Sequence, residues 1–212
     1  MRVKNKSIIV TGSGSGIGEG IARRLADEGA QVVVNDINVA MGEKVVAAIV
    51  KAGGIASFFK ADVTKSAEVK ALVATAVERY GKLDVMVNNA GWTHRKQPAL
   101  ALREDDFDKR YAINVKSTYL STFNATPVFR ARDDGSFVTI ASTAGVRPRP
   151  SLLVEFAGGP VDEKGKAKFR SSIPLGRFST VLDVANAVLY LVSDKSDFIS
   201  DVCIEVDGAR CV

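Results

Sequence analysis

The sequence predicts a three-layer α/β/α fold built on a doubly wound parallel sheet. Short apolar runs recur along residues 8–141, and a longer amphipathic stretch follows each of the first four. Continuous apolar strands are typical of parallel sheets that helices cover on both faces. A glycine-rich turn joins the first strand to the first helix. Right-handed crossovers then divide the helices between the two faces of the sheet.

The elements are predicted in order along the chain. Strands are expected at residues 8–10, 31–35, 55–59, 83–87 and 136–141, and helices at 17–28, 39–52, from Thr64 or Ser66 to 80, and at 104–130. Either Thr64 or Ser66 can provide the N-cap of the third helix. Gly81 is expected to end that helix, and Pro127 to disturb the fourth.

The regular alternation stops after residue 141. Residues 146–150 are rich in Pro and Arg, 151–156 are short and apolar, and 158–168 predict a mobile surface segment. A helix is expected at 184–193 and a last strand at 202–206. No full helix and no strand is predicted between the fifth strand and this pair. The whole chain, residues 1–212, is expected to form one domain.

Composition limits the classes of function. The net charge is +5 and the pI is about 9.2, but the Lys and Arg residues are scattered among acidic ones, which argues against a nucleic-acid partner. Two cysteines do not make a disulfide framework, so a reducing compartment is expected. No apolar run is long enough to cross a membrane. A cytoplasmic location is therefore expected.

The turn at residues 11–18 has the composition of a phosphate-binding loop. Its glycine spacing is T-G-x-x-x-G-x-G, formed by Gly12, Gly16 and Gly18, and no Lys-Ser or Lys-Thr pair follows as in a P-loop. Glycines let the backbone turn sharply and let a diphosphate approach the N-terminus of the helix. A merely flexible turn is the alternative.

Asp36 ends the second predicted strand, 18 residues after Gly18. A carboxylate there can accept hydrogen bonds from the adenosine ribose and would repel a 2′-phosphate. The next residue is Ile37 rather than Arg, and the turn carries Ser15 rather than a basic residue. The pattern therefore favours NAD over NADP, with an ordinary loop aspartate as the alternative.

Several motifs in this order resemble the classical short-chain dehydrogenase/reductase family, which has a Rossmann-type fold. They are residues 11–18, Asp36, Asp62-Val63, Asn88-Asn-Ala-Gly91, Asn114, Ser142 within 140–145, and the stretches 174–178 and 206–208. The resemblance implies an NAD(P)-dependent oxidoreductase that transfers hydride between the nicotinamide and a secondary alcohol or ketone, such as a 3-oxoacyl or sugar-type substrate. It also implies a homotetramer.

The resemblance implies a role for each matching position. In the cofactor cleft, Asp62 and Val63 would flank the adenine, Asn89, Ala90 and Gly91 would line the wall, and Ile17 would offer its backbone near the nicotinamide. Asn88 would tie neighbouring strands. In catalysis, Ser142 would bind the substrate oxygen and Asn114 would hold a water in a proton relay. Turns and helix caps are the alternatives for these residues.

The family's Tyr-x-x-x-Lys pair is missing. The position 13 residues after Ser142 is Glu155, and four residues further lies Gly159. None of the four tyrosines has a Lys four residues later. A strand–helix–strand unit takes about 30 residues or more, so about 40 residues, including one helix and one strand, are absent at a break between 150 and 151.

Two explanations remain open for this gap. Either a segment carrying Tyr and Lys exists and is omitted from the sequence, or the deletion is real and the chain is a catalytically inactive dinucleotide-binding sensor or scaffold. No metal site is expected, because one histidine, His94, and two distant cysteines do not match a zinc site. The acidic residues at 104–108 predict a helix N-terminus instead.

Overall fold

One parallel sheet of five strands organises the part of the chain that the computed structural model describes, which is residues 1–93, 99–146 and 163–211. The spatial order of the strands is β3-β2-β1-β4-β5. The strands are β1 (Ser7–Thr11), β2 (Gln31–Asp36), β3 (Ile55–Lys60), β4 (Val85–Asn88) and β5 (Ser136–Thr139). The predicted doubly wound parallel sheet is confirmed.

Helices cover both faces of this sheet. They are α1 (Gly16–Asp27), α2 (Val39–Lys51), α3 (Ser66–Tyr80), α4 (Glu104–Tyr111), α5 (Ser117–Arg130), α6 (Thr143–Val146), α7 (Glu163–Ser171) and α8 (Val181–Leu191). A π-helical turn, Ala112–Lys116, joins α4 to α5, and short 3₁₀ turns occupy Ala99–Ala101 and Asp194–Ser196.

The core consists of two apolar layers, one on each face of the sheet. Ile8 and Val10 of β1 pack with α1, α2 and α8, whereas Ile9 points to the opposite layer with α3 and α5. The central strands alternate in the same way and are buried on both faces. This double burial explains why the strands are continuous apolar runs rather than alternating ones.

A buried carboxylate fixes the amino ends of the central strands. Asp84 accepts hydrogen bonds from the Ser7 backbone N–H at 2.7 Å, from Lys82 Nζ at 2.9 Å and from Arg132 Nη1 at 2.9 Å. Burial alone would raise the pKa of Asp84, but these hydrogen bonds outweigh it and hold the pKa below its ordinary value. Asp84 therefore links β1, β4 and the segment before β5 as an anion.

Two details of the predicted helices are wrong. Neither Thr64 nor Ser66 is the N-cap residue of α3; that position is Lys65, whose side chain makes no cap. The Thr64 hydroxyl donates to Asp62 instead. The irregularity in the long helix is the π-turn at Ala112–Lys116, while Pro127 lies within regular α5. Gly81 ends α3 in the left-handed conformation, with φ of 76°, as predicted.

The region after β5 departs furthest from expectation. The predicted surface segment at 158–168 is helical from Glu163, where α7 begins, and its residues 158–162 lie outside the described residues. Helix α8 begins at Val181 rather than at 184. The predicted strand at 202–206 does not form a strand. The predicted segments at 151–156 and around the break at 150 lie outside the described residues.

An open groove explains why the last predicted strand does not form. Its volume is 1010 Å³, and it runs along β5 with residues 199–206 on its far side. Phe137, Val202 and Ile204 are respectively 37%, 54% and 45% exposed. A strand needs a hydrogen-bonded neighbour, and none of the described residues pairs with this edge of β5. Among the described residues, neither side of the groove has a hydrogen-bonded neighbour.

None of the described helices combines the length and the apolar character that a membrane-spanning segment needs.

Candidate functional site

The turn between β1 and α1 lies where the strand order reverses, because β1 pairs with β2 on one side and β4 on the other. Ligands of doubly wound sheets bind at this crevice, beyond the carboxyl ends of the strands. Gly12 has a φ of 60°, and a Cβ there would come within 2.8 Å of Ala90 Cα. A Cβ on Gly18 would overlap Asn89 Nδ2 and the Gly12 carbonyl oxygen. Both positions therefore require glycine.

Hydrogen bonds join this turn to the end of β4. Asn89 Nδ2 donates to the carbonyl oxygens of Thr11 at 2.8 Å and Gly12 at 3.0 Å. In return, Thr11 Oγ1 accepts from the backbone N–H groups of Asn89 and Ala90. Asn88 Nδ2 donates to Thr139 Oγ1 at 3.3 Å, so Asn88 ties β4 to β5 as predicted. The side chains of both asparagines hold the cleft walls together.

Asp36 lies directly against the glycine turn. Its Oδ2 accepts a hydrogen bond from the Gly14 backbone N–H at 2.9 Å, and its Oδ1 accepts from the Asn38 N–H at 2.9 Å. Ile37 beside it is 68% exposed. The carboxylate therefore stands at the end of β2 with an apolar side chain, not a cation, next to it.

The start of α1 is open for an anion. Ser15 occupies the N-cap position without a side-chain cap, and a Cβ on Gly16 would meet no atom within 4 Å. Uncapped first-turn N–H groups and the positive end of the helix dipole favour a phosphate. Ile17 follows and is 40% exposed. The turn and helix end thus fit the diphosphate of a dinucleotide, and Asp36 fits a neighbouring sugar.

Asp62 and Val63 follow β3 on the same side of the sheet. Asp62 Oδ1 accepts hydrogen bonds from both the backbone N–H and the hydroxyl of Thr64, at 2.9 and 2.7 Å. The Asp62 N–H donates to Glu68 Oε2 at 2.8 Å, and Val63 is buried. This network shapes the loop before α3, and the role of the pair beside an adenine stays a prediction.

Asn114 lies in the π-turn and fixes the position of the loop that follows β4. Its Oδ1 accepts from the Trp92 N–H at 2.8 Å, and its Nδ2 donates to the Trp92 carbonyl at 2.9 Å. This two-point contact accompanies the wider π-turn at Ala112–Lys116. The side chain is therefore used to position the loop beside Gly91, and the predicted water relay is not tested by these contacts.

Ser142 lies just beyond β5, on the strand next to β4. Asn88 and Thr139 are in register, and Gly91 and Ser142 each follow three residues later. Ser142 is exposed and faces the groove, and its carbonyl accepts from the Gly145 N–H at 2.9 Å. The structure therefore brings Ser142 to the same edge as the glycine turn. His94, Glu155 and Gly159 lie outside the described residues.

Two contacts at this edge were not predicted. The single tryptophan, Trp92, packs under Lys109 of α4, and the lysine Nζ lies 4.2 Å from the ring centroid. The role of Thr11 as an acceptor for the β4 loop was also missed, although the residue belongs to the predicted motif. Long-range partners of this kind have no local signal in the sequence.

Away from the cleft, Glu205, Asp207 and Cys211 place their ligand-type atoms within 4.8 Å of one another. The two oxygens of Asp207 accept from the backbone N–H groups of Ala209, at 2.9 Å, and of Cys211, at 2.7 Å. These bonds form a terminal turn. The acidic residues at 104–106 form the first turn of α4, as expected for a helix N-terminus.

Comparison with known proteins points to one family. A family model described as short chain dehydrogenase matches residues 6–154. The 4-formylbenzenesulfonate dehydrogenase TsaC1/TsaC2 of Comamonas testosteroni is 37% identical over 250 aligned positions, which cover 99% of each chain. Since this chain has 212 residues, at least 38 of those 250 positions have no counterpart in it.

Solved structures agree with this result. A 3-ketoacyl-(acyl-carrier-protein) reductase from Brucella melitensis, complexed with NADH, matches with a TM-score of 0.87 and 33% identity over 99% of this chain and 100% of the other. A 7α-hydroxysteroid dehydrogenase complexed with NADH and 7-oxo glycochenodeoxycholic acid matches with a TM-score of 0.84 and 29% identity, covering 94% and 91% of the two chains.

Proposed function

Because the chain belongs to the short-chain dehydrogenase family, and the two solved relatives compared above are complexes with NADH, we propose that it binds NAD(H) in preference to NADP(H). The observation that carries this proposal is the hydrogen bond between Asp36 Oδ2 and the Gly14 N–H at 2.9 Å. It fixes a carboxylate where the sugar next to the diphosphate would lie.

The charge of Asp36 supports the choice between the two cofactors. A carboxylate accepts hydrogen bonds from ribose hydroxyls but repels the dianionic 2′-phosphate of NADP. Binding of that phosphate usually needs a cation, and Ile37 and Ser15 offer none at the two nearest positions. Gly12, Gly16 and Gly18 would hold the diphosphate, and Asn89, Ala90 and Gly91 would line the cleft wall.

The proposed reaction is the exchange of a hydride with a secondary alcohol or ketone at the edge formed by β4 and β5. The bound nicotinamide supplies the hydride chemistry. Ser142 would donate a hydrogen bond to the substrate oxygen, and Asn114 would keep the loop beside Gly91 in place and support proton delivery. A 3-oxoacyl or sugar-type carbonyl would be a suitable substrate, and the Brucella melitensis relative is named for a 3-ketoacyl substrate.

The general acid/base is the missing part of this site. A free phenol has a pKa of about 10 and needs a nearby cation to act at neutral pH. Tyr80 is unsuitable, because burial raises its pKa and its hydroxyl donates to Ser57 Oγ at 2.9 Å. No tyrosine in the sequence has a lysine four residues later. Loss of the acid/base costs about 10²–10⁴ in rate.

This observation favours a second candidate function for the 212-residue chain, which is dinucleotide binding without turnover as a sensor or scaffold. The two candidates share the same cofactor cleft and differ only in the segment that follows residue 150. They are therefore distinguished by the chemical identity of the protein and by turnover, not by cofactor binding.

The test combines intact mass, cofactor titration and turnover on one preparation. We expect NADH to bind at least about tenfold more tightly than NADPH, a difference of about 1.4 kcal/mol. For a protein of 22.6 kDa, we expect binding with no turnover on a panel of alcohols and ketones. A larger mass accompanied by turnover supports the dehydrogenase. Equal affinity for both cofactors contradicts the role of Asp36.

The proposed assembly is a homo-oligomer, with the tetramer implied by the family resemblance. Tyr119 and Phe123 on α5 are 61% and 62% exposed, and their ring centroids lie 5.9 Å apart. An exposed aromatic pair of this kind supports a contact between copies. Sedimentation measurements of the mass of the assembly test this contact. A cytoplasmic location stays a prediction.

A further inference from the structure

A cation and an aromatic ring stand together one residue beyond the cleft wall. Trp92 follows Gly91 directly, and Asn114 holds both its backbone N–H and its carbonyl. Lys109, on α4, places Nζ 4.2 Å from the centroid of the indole ring. The loop and the helix are thus joined through Asn114 and through the Lys109–Trp92 contact, so the ammonium group has a defined place.

The Lys109 ammonium is not paired with a carboxylate. The first turn of α4 is acidic, but its salt bridge joins Arg103 to Asp105 at 2.6 Å. Within the described ranges 1–93, 99–146 and 163–211, Lys109 forms no ion pair. An exposed cation that packs on an aromatic face keeps its N–H groups available for an anion.

A second cation follows on the same helix. The Nε and Nη2 atoms of Arg110 are shielded from solvent and have no hydrogen-bond partner in the described parts of the chain. Shielded guanidinium N–H groups without partners are costly, and an anion is their strongest partner. The end of α4 therefore carries two cations in succession, of which Lys109 is the exposed one that lies on the Trp92 ring.

The strand register relates this cluster to the reacting end of the substrate. Gly91 and Ser142 each lie three residues beyond the paired residues Asn88 and Thr139. Trp92 is thus one residue further along the β4 side. Trp92 and Ser142 therefore both follow the carboxyl ends of neighbouring strands, at one edge of the sheet.

We propose that Trp92 and Lys109 form a subsite for an aromatic substrate that carries an anionic group, a carboxylate or a sulfonate. The inference rests on the proposed function, because Ser142 fixes the opposite end of the ligand. The indole contacts the substrate ring, and Lys109 pairs with the anion. Exposed charge pairs are screened by salt, so the preference for an anion weakens as ionic strength rises.

The test uses Trp92 as its own reporter, since it is the only tryptophan in the chain. Benzenesulfonate and its neutral match, benzenesulfonamide, are titrated into the whole protein while tryptophan emission is followed, with and without saturating NADH. We expect benzenesulfonate to bind about three- to fivefold more tightly, which is the upper part of the range that an exposed charge pair supplies. Lys109→Gln should reduce this ratio to about one.

Lys51→Gln is the matched control, because Lys51 lies in the last turn of α2 and its loss changes the net charge equally. It should keep the wild-type ratio. Equal affinities for the two probes in the wild type, or a ratio that Lys109→Gln leaves unchanged, would overturn the subsite. NADH binding is scored separately by NADH emission. Its failure counts against the proposed function, while the probe ratio without NADH still decides the subsite.

Discussion

Replacing Gly18 with alanine tests the close contact between the glycine turn and the end of β4. A Cβ at Gly18 would overlap Asn89 Nδ2 and the Gly12 carbonyl oxygen, and would lie 2.9 Å from Ser13 Cα. Overpacking costs about 1–3 kcal/mol. Displacing Asn89 also breaks its two hydrogen bonds to the turn, each worth about 1 kcal/mol. We expect Gly18→Ala to lower the free energy of unfolding by about 3–5 kcal/mol.

Gly16→Ala is the matched control two residues earlier. Gly16 has a φ of 57°, but a Cβ there would meet nothing within 4 Å. The variant therefore adds only left-handed backbone strain, about 1–2 kcal/mol. Urea unfolding followed by circular dichroism measures the free energy of unfolding of both variants, and NADH titration measures their affinity for the cofactor. A Gly18→Ala protein within about 1 kcal/mol of wild type, or one less destabilised than Gly16→Ala, would refute this account of the turn.

Three further predictions concern single side chains. Asp36→Ser should shift the ratio of NADPH to NADH affinity toward NADPH by about tenfold or more, because the carboxylate that repels a 2′-phosphate is gone; paired titrations measure this. Asp84→Asn should lower the free energy of unfolding by about 2 kcal/mol at neutral pH, because hydrogen bonds to a charged group contribute about 1.5–3 kcal/mol. Since the pKa of Asp84 is lower in the folded protein, its contribution is present above the unfolded value of about 3.9 and is lost as the pH falls below it. Urea midpoints measured down to about pH 3 should therefore fall less steeply in the variant than in wild type. Asn114→Ala removes both bonds to the Trp92 backbone, so tryptophan emission should move to longer wavelength, and an unchanged spectrum would contradict the clamp.

The first half of the fold could be predicted because each element there carries a local signal. β1, β2 and β4 are buried on both faces and are therefore continuous apolar runs. The end of α3 at Gly81 depends on the left-handed backbone conformation of this one residue, so a single glycine in the sequence predicts it. The N-terminus of α8 also had a local signal that was missed. Thr180 and Asp183 form a capping box, and the T-x-x-D pattern indicates a start three residues before 184.

Long-range contacts decide the features that could not be predicted. The π-turn accompanies the contacts of Asn114 with Trp92, which lies 22 residues away in the sequence. The stretch 202–206 has the composition of a strand, yet it is not a strand, because pairing depends on a neighbour rather than on its own residues. In the candidate site, the sequence identified Asp36 and the glycines, while the Lys109–Trp92 contact depends on two elements meeting in space.

The open groove along β5 also bears on how such a sheet can lose material. Hydrogen-bond ladders join β3, β2, β1, β4 and β5, and the gap lies at the outer end of this series. A strand in this groove would form two ladders, one with β5 and one with residues 202–206, and both lie outside the β2-β1-β4 part of the sheet that carries the nucleotide cleft. The crevice between β1 and β4 therefore does not depend on any strand beyond β5. By the same logic, the groove is a natural insertion point for engineered segments that dock a new catalytic helix onto an intact dinucleotide-binding half.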